Sequence, residues 1–344
     1  MKFILFPFAL IYGWITSFRN HMYDLKLWKS VGFDLNVISI GNLAVGGTGK
    51  STMVEYIVDS LLKNGHKPAT LSRGYKRKTK GFRLTNDKDT ALTVGDEPYQ
   101  FWLKYGKDVP VAVGEDRVMA IPQILFENAD RDSIVCDDAF QHRPIRPALN
   151  ILLSTYNNPF FSDHIMPMGK LREPRKGAER ADVLVFTKCP SLSKEEMQGH
   201  REQSKKYLKE GTPMFFATTK YKEVVPLFEN GSKFSSDIIL VSGLANSKPL
   251  DEYAAANFNL IDHLDFPDHH SYSKKDEEKI MHLFNRHSKD LSEPLSIVTT
   301  EKDATKLRNM IGLASLPVFY LPIEIEFLYE GDKFERLLSD SFMA

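Results

Sequence analysis

The chain has 344 residues, and its 45 lysines and arginines balance 45 aspartates and glutamates, so no global field draws it to nucleic acid and any anion site must be local. A composition of 42% hydrophobic and 26% charged residues excludes a disordered, collagen-like or coiled-coil chain, and the length favours two domains. The two cysteines, Cys136 and Cys189, both lie in apolar runs, which excludes a disulfide framework and points to a reducing cytoplasm.

From Phe3 to Phe18 the run FILFPFALIYGWITSF carries no charge. It is membrane-seeking, yet it falls short of the roughly 20 apolar residues a spanning helix needs. Pro7 and Gly13 interrupt it, and no small-x-small cleavage site follows. Arg19, Lys26 and Lys29 come next, as in a segment lying in the interface of an anionic leaflet. Residues 1–30 are therefore expected to form a membrane-associated helix, with a core helix as the alternative.

Beyond this segment short apolar runs alternate with amphipathic stretches, the pattern of parallel strands covered by helices on both faces. Strands are expected at 35–42, 68–74, 108–114, 133–139, 149–154, 182–189 and 214–219, and a second set at 237–245, 260–266, 295–304 and 317–327. Turn formers cluster in FENGSKFSS, 228–236, between the two sets. The expected domains are thus 31–228 and a smaller α/β domain over 229–344.

Strand 35–42 runs directly into AVGGTGKS, comprising Ala44, Val45, Gly46, Gly47, Thr48, Gly49, Lys50 and Ser51. Apolar residues at Met53, Val54, Ile57, Val58, Leu61 and Leu62 then follow at helical spacing. This strand, glycine loop and helix order is the context that makes the pattern a phosphate-binding site. The glycines let backbone N–H groups reach phosphates at the helix N-terminus, Lys50 would contact the β- and γ-phosphates, and Ser51 would ligate Mg²⁺. The fold class expected is α/β, a mostly parallel P-loop NTPase-like sheet flanked by helices. Such a loop also needs an acid at the end of a buried strand, and SIVCDDA supplies Asp137 and Asp138, expected together at the strand's carboxyl tip.

Two basic clusters, 72–83 and 169–180, read individually as solvated faces, but beside a phosphate loop they could bind an anionic head group. VGDEP (94–98) and FPDHHSY (266–272) read individually as turns. Together they supply a carboxylate, Asp96, and an imidazole, His269 or His270, of the kind that takes a proton from a hydroxyl nucleophile.

Taken together, AVGGTGKS, SRGY (72–75), GDEP (95–98), GEDR (114–117), DDAFQH (137–142), GKLREP (169–174), FPDHH (266–270) and TTEKDA (299–304) resemble the tetraacyldisaccharide 4′-kinase family, the lipid A kinases of Gram-negative bacteria, over nearly the whole chain. The resemblance implies transfer of the ATP γ-phosphoryl, with Mg²⁺, to the 4′-hydroxyl of a tetraacyldisaccharide 1-phosphate, forming lipid IVA at the cytoplasmic face of the inner membrane. It implies a peripheral or monotopic enzyme, a lipid-linked disaccharide monophosphate as partner, and no obligate protein partner. By the same resemblance Asp96 is the catalytic carboxylate with His269 as its partner, and Asp137 and Asp138 are the acidic pair at the metal. Arg73, Tyr75, Glu97, Arg117, Gln141, His142 and Arg172 are the implied substrate-binding residues. Ser51 and Thr52 depart from the commoner Thr and Pro; the first change keeps the hydroxyl.

Three other readings are weaker. A membrane-cycling ATPase normally carries a lysine where Val45 stands. FTKCP (186–190) resembles a GTPase base-reading motif but lacks its Asn and Asp. A non-catalytic membrane adaptor would not phosphorylate a sugar lipid.

Overall fold

The computed structural model describes residues 2–268, 270–290 and 294–342. The chain divides into a larger unit, made of residues up to Lys220 and from Glu324 onward, and a smaller unit, Tyr221–Ile323.

The larger unit starts with helix α1 (Lys2–Asp24). Pro7 lies near its start, where it forfeits a hydrogen bond to the first turn without ending the helix, so the expected interruption does not occur. At Gly13 a β-carbon would already touch the Ile165 side chain at 3.4 Å, so the missing side chain lets α1 lie close to the body of the unit. There follow β1 (Asn36–Asn42), α2 (Lys50–Lys63), β2 (Pro68–Ser72), β3 (Arg83–Leu84), α3 (Ala91–Val94), α4 (Asp96–Tyr105), β4 (Val111–Val113), α5 (Arg117–Glu127), β5 (Ser133–Cys136), β6 (Leu149–Thr155), β7 (Val183–Thr187), α6 (Lys194–Lys205) and β8 (Met214–Tyr221). The smaller unit contains β9 (Val225–Pro226), β10 (Asp237–Ser242), α7 (Lys248–Asn257), β11 (Asn259–Asp265), α8 (Lys274–Asp290), β12 (Leu295–Thr300), α9 (Glu301–Leu307) and β13 (Val318–Leu321). The chain then returns to the larger unit as β14 (Ile323–Phe327) and α10 (Gly331–Asp340).

Among the described residues the larger sheet has the order β14-β8-β7-β6-β1-β5-β2-β4-β3 and the smaller β11-β10-β12-β13-β9. In the larger sheet β1, β2 and β4 to β8 pair in parallel and β3 runs antiparallel to β4. Strand β1 is buried along its whole length. Its Ile38 and Ile40 join a core with Met53, Val54, Ile57, Val58 and Leu61 of α2, whereas Val37 joins a separate core with Ala69, Ile121 and Ile134. Successive side chains point to opposite faces, and both faces are covered, which is why the strand reads as a continuous apolar run.

Two expected strands divide differently. Residues 295–304 form β12 only to Thr300, whose hydroxyl accepts the Asp303 N–H and starts α9 as its cap. The run 317–327 breaks at Pro322, which has no N–H to offer a ladder, and its halves join different sheets. The smaller compact unit spans 221–323, beside the 229–344 expected from the sequence for a C-terminal domain. Residues of β14 and α10 belong to the larger core because Ile325, Phe334 and Leu338 pack there with Ile57 and Phe215.

Phe334 is 1% exposed. Phe334→Ala should cost about 3–5 kcal/mol of the larger unit's stability, measured by urea unfolding; an unchanged midpoint would mean that α10 does not close this core.

Candidate functional site

In a parallel sheet all strands present their carboxyl ends to one edge, where ligands bind. At that edge β1 leads into the glycine loop. Ala44 bridges Leu171, the Val45 N–H donates to the Lys170 carbonyl (2.8 Å), and the Arg172 N–H donates to the Leu43 carbonyl (2.7 Å), so the segment around 170–172 braces the loop. Gly46 (φ 117°) and Gly49 (φ 79°) occupy left-handed backbone that a side chain would strain. Thr48 is buried, with its hydroxyl accepting from Asn42 Nδ2 (2.7 Å) and its carbonyl accepting from the Thr187 hydroxyl (2.9 Å). The loop is held open in this way, and α2 starts at Lys50 with its unpaired N–H groups facing any phosphate placed there.

Strand β5 ends at Cys136, so Asp137 and Asp138 both follow its tip. Asp138 has φ 48°, the left-handed region that aspartate enters more readily than most residues, and its carboxylate meets two cations. Lys50 Nζ lies 3.7 Å from Asp138 Oδ1, and Arg172 Nη1 lies 2.9 Å from both carboxylate oxygens. Burial alone would raise the Asp138 pKa, but Lys50, Arg172 and Arg117 outweigh it and hold the carboxyl below its ordinary range. Asp137 goes the other way. Burial, with Glu97 adding to it against the pull of Lys50, pushes its carboxyl up to about 7. Its Oδ1 is buried without a hydrogen-bond partner.

Among the described residues no cluster of three or more His, Cys, Asp or Glu could cage a metal ion. The expected ligands Asp137, Asp138 and Ser51 would offer carboxylate and hydroxyl oxygens, the kind that suits Mg²⁺ sharing its shell with phosphates and water. The orphaned Asp137 oxygen fits that use.

Around this centre the structure places the other expected residues. Asp96 is the first residue of α4, not part of a turn. Gly95 and Gly74 meet at van der Waals distance, a β-carbon on Gly95 falling 3.3 Å from Gly74 Cα, and so the SRGY and GDEP segments adjoin. Tyr75 is largely exposed, with Lys76 Nζ 5.6 Å from its ring centre. Arg117 is buried at the start of α5, and its desolvation is partly offset by Asp137 and Asp138. Desolvation of the half-buried His142, with Arg117 and Arg73 adding to it, holds it down to about 4, so at neutral pH it is uncharged. Gln141 is engaged: its Nε2 donates to the Asn42 carbonyl (2.8 Å) and to Glu173 Oε1 (3.0 Å), which fits an orienting role better than direct capture of substrate. His269 lies outside the described residues. In the smaller unit its neighbour His270 has Nε2 3.1 Å from Asp276 Oδ2 and stacks on Phe266.

A family model described as Tetraacyldisaccharide-1-P 4′-kinase matches residues 1–343. The chain belongs to this family. A tetraacyldisaccharide 4′-kinase of Flavobacterium johnsoniae is 40% identical over 341 residues, covering 97% of this chain and 95% of its own length. One from Parabacteroides distasonis is 39% identical over 352 residues, covering 97% and 93%. A crystal structure of LpxK from Aquifex aeolicus in complex with ATP is 28% identical and superposes with a TM-score of 0.77, covering 99% of each chain.

Two features of this kinase escaped the sequence reading. Glu173, fully buried, accepts from Asn20 Nδ2 of α1 (2.5 Å), Arg180 Nη2 (2.7 Å) and Gln141. Burial opposes its charge, but Arg180, Gln141 and Asn20 together keep its pKa below the usual glutamate range. Only its place in GKLREP, beside Arg172, hinted at it. The second is Glu55, on the buried face of α2, which accepts from Lys104 Nζ (2.5 Å) and Gln100 Nε2 (2.9 Å) of α4. The helix that starts at Lys50 is thereby clamped to the helix that starts at Asp96. Glu55→Gln should lower kcat about tenfold while changing the KM for ATP less than about twofold, because a small misplacement of a reacting group is costly; steady-state kinetics with unchanged kcat would count against the clamp.

Proposed function

We propose that this kinase works on Mg·ATP at a membrane surface, with Asp96 as the proton acceptor and the loop from Ala44 to Ser51 as the phosphate cradle. As a family member, the chain transfers the ATP γ-phosphoryl group to the 4′-hydroxyl of tetraacyldisaccharide 1-phosphate, forming lipid IVA in lipid A biosynthesis. The 4′ oxygen attacks phosphorus in line, its bond to phosphorus forms as the bond to the β-phosphate bridging oxygen breaks, and ADP leaves. The hydroxyl proton passes to Asp96.

Catalysis of this kind is mostly positioning and charge neutralisation. Lys50 and the N-terminus of α2 meet the phosphates. Arg172 and Asp138 fix one another, and Arg117 and Arg73 provide positive charge beside them for the anionic ends of substrate. A Mg²⁺ ion bound with ATP would be held by Ser51, Asp138 and Asp137, and it supplies further neutralisation of phosphate charge. The observation carrying this assignment is the contact of Lys50 and Arg172 with Asp138 at the mouth of the loop. It leaves a cationic rim around an acid pair, at the site where a triphosphate must lie.

The membrane assignment is supported by α1. Phe8, Leu10, Ile11 and Trp14 are all more than half exposed, Trp14 at 70%. Among the described residues no helix is long and apolar enough to cross a membrane. The Tyr12 hydroxyl and Asn20 meanwhile bond to Arg172 and Glu173, so α1 sits on the larger unit with its apolar residues turned outward. An interfacial helix at the cytoplasmic face of the inner membrane, bringing the site to its lipid acceptor, accounts for both sides of α1.

Incubation with Mg·ATP and the disaccharide monophosphate should give product with one added phosphate by mass spectrometry, and Asp96→Asn should lower turnover at least about 100-fold with ATP binding retained. Substantial turnover by the variant would remove Asp96 as the base. In sedimentation with anionic vesicles, Trp14→Glu with Phe8→Glu should release most of the protein; equal binding by variant and parent would overturn the placement of α1 in lipid.

A further inference from the structure

Helix α1 carries large apolar residues on its outer face and residues of another kind on its inner one. Ala9, Thr16 and Asn20 are buried there at the spacing of successive turns, with Tyr12 and Gly13 between them. A helix held by packing alone turns an apolar stripe to the core. This one reaches the core through two polar groups. The Tyr12 hydroxyl donates to the Arg172 carbonyl (2.9 Å) and, two turns further on, Asn20 Nδ2 donates to Glu173 Oε2 (2.5 Å). Asn20 is itself oriented, because its Oδ1 accepts from Arg19 Nη2 (3.3 Å) and its NH₂ group is left for the carboxylate. Attachment to lipid requires none of these bonds.

Both bonds fall on consecutive residues that also serve the site. Arg172 holds Asp138 through its guanidinium and the Leu43 carbonyl through its N–H. Glu173 gives Oε2 to Asn20 and Oε1 to Arg180 Nη2 and Gln141 Nε2, and Gln141 in turn donates to the Asn42 carbonyl, where β1 runs into the glycine loop. A buried carboxylate that loses a donor must recruit another or stay unpaired at high cost. Gln141 is the donor at hand, and drawn wholly to Glu173 it would release the end of β1. We propose that Tyr12 and Asn20 are positioning residues for phosphoryl transfer, fixing Arg172, Gln141 and the base of the loop, so that α1 contributes to turnover separately from its attachment to lipid. This inference rests on the assignment of the loop at 44–51 to ATP, with Arg172 and Asp138 at its mouth.

Turnover in detergent mixed micelles, with Mg·ATP and the disaccharide monophosphate both saturating, separates the two duties of α1, since no bilayer is present. Asn20→Ala should lower kcat about tenfold, the effect of a small displacement of reacting groups, with the KM for ATP changed less than about twofold and sedimentation with anionic vesicles equal to the parent's. Tyr12→Phe, which removes one hydrogen bond and keeps the ring, should lower kcat about threefold. Asn20→Gln keeps an amide donor and should recover part of the loss. Full turnover by both Asn20→Ala and Tyr12→Phe would overturn the inference, as would an effect on KM alone. So would a fall in kcat matched by an equal fall in the folded fraction at the assay temperature, read from thermal unfolding, because the bonds would then serve only stability. Full turnover by Arg172→Ala would instead overturn the placement of Arg172 and Asp138 at the transferred phosphate.

Discussion

The larger unit is organised around one electrostatic problem, two aspartates side by side at the end of a buried strand. Two ionised carboxylates so close in a dry setting would repel, and the fold resolves this by treating them unequally. Asp138 is turned by its positive φ toward Lys50 and Arg172 and stays charged, whereas burial of Asp137, with Glu97 nearby, pushes its carboxyl up to about 7. Much of the surrounding architecture serves this arrangement. Arg172 is held by the segment that braces the glycine loop, and Lys50 is placed by the start of α2.

Buried carboxylates recur as the joints between elements. Glu173 collects Asn20, Gln141 and Arg180, and Glu55 collects Gln100 and Lys104. Each draws donors from elements distant in sequence, and breaking one partner leaves an expensive unpaired charge. Such joints are stiff and specific in geometry, which apolar packing alone does not ensure. The first fastens α1 beside the site; the second fastens the two helices whose N-termini begin at Lys50 and Asp96.

The phosphate loop and the acid pair were legible in the sequence because each is a local pattern: a strand, then glycines, then helical spacing, or a strand ending in two acids. The parallel sheet was legible because burial on both faces leaves continuous apolar runs. The helical start at Asp96 was not, since GDEP has the composition of a turn. Nor was the return of the chain after Pro322, because Phe334 finds its partners at Tyr56 and Phe215, far back in sequence. Glu173 and Glu55 were hidden for the same reason. Their meaning lies in partners up to 153 residues away.

The insertion of residues 221–323 within the larger unit has a consequence for the order in which the protein is made. The smaller sheet is contiguous in the chain and can assemble as soon as it leaves the ribosome. The larger one must wait with its edge at β8 unpaired and the groove for α10 empty until residues 324–340 have been synthesised. The ATP-binding half is thus completed last, after the unit inserted into it has been made.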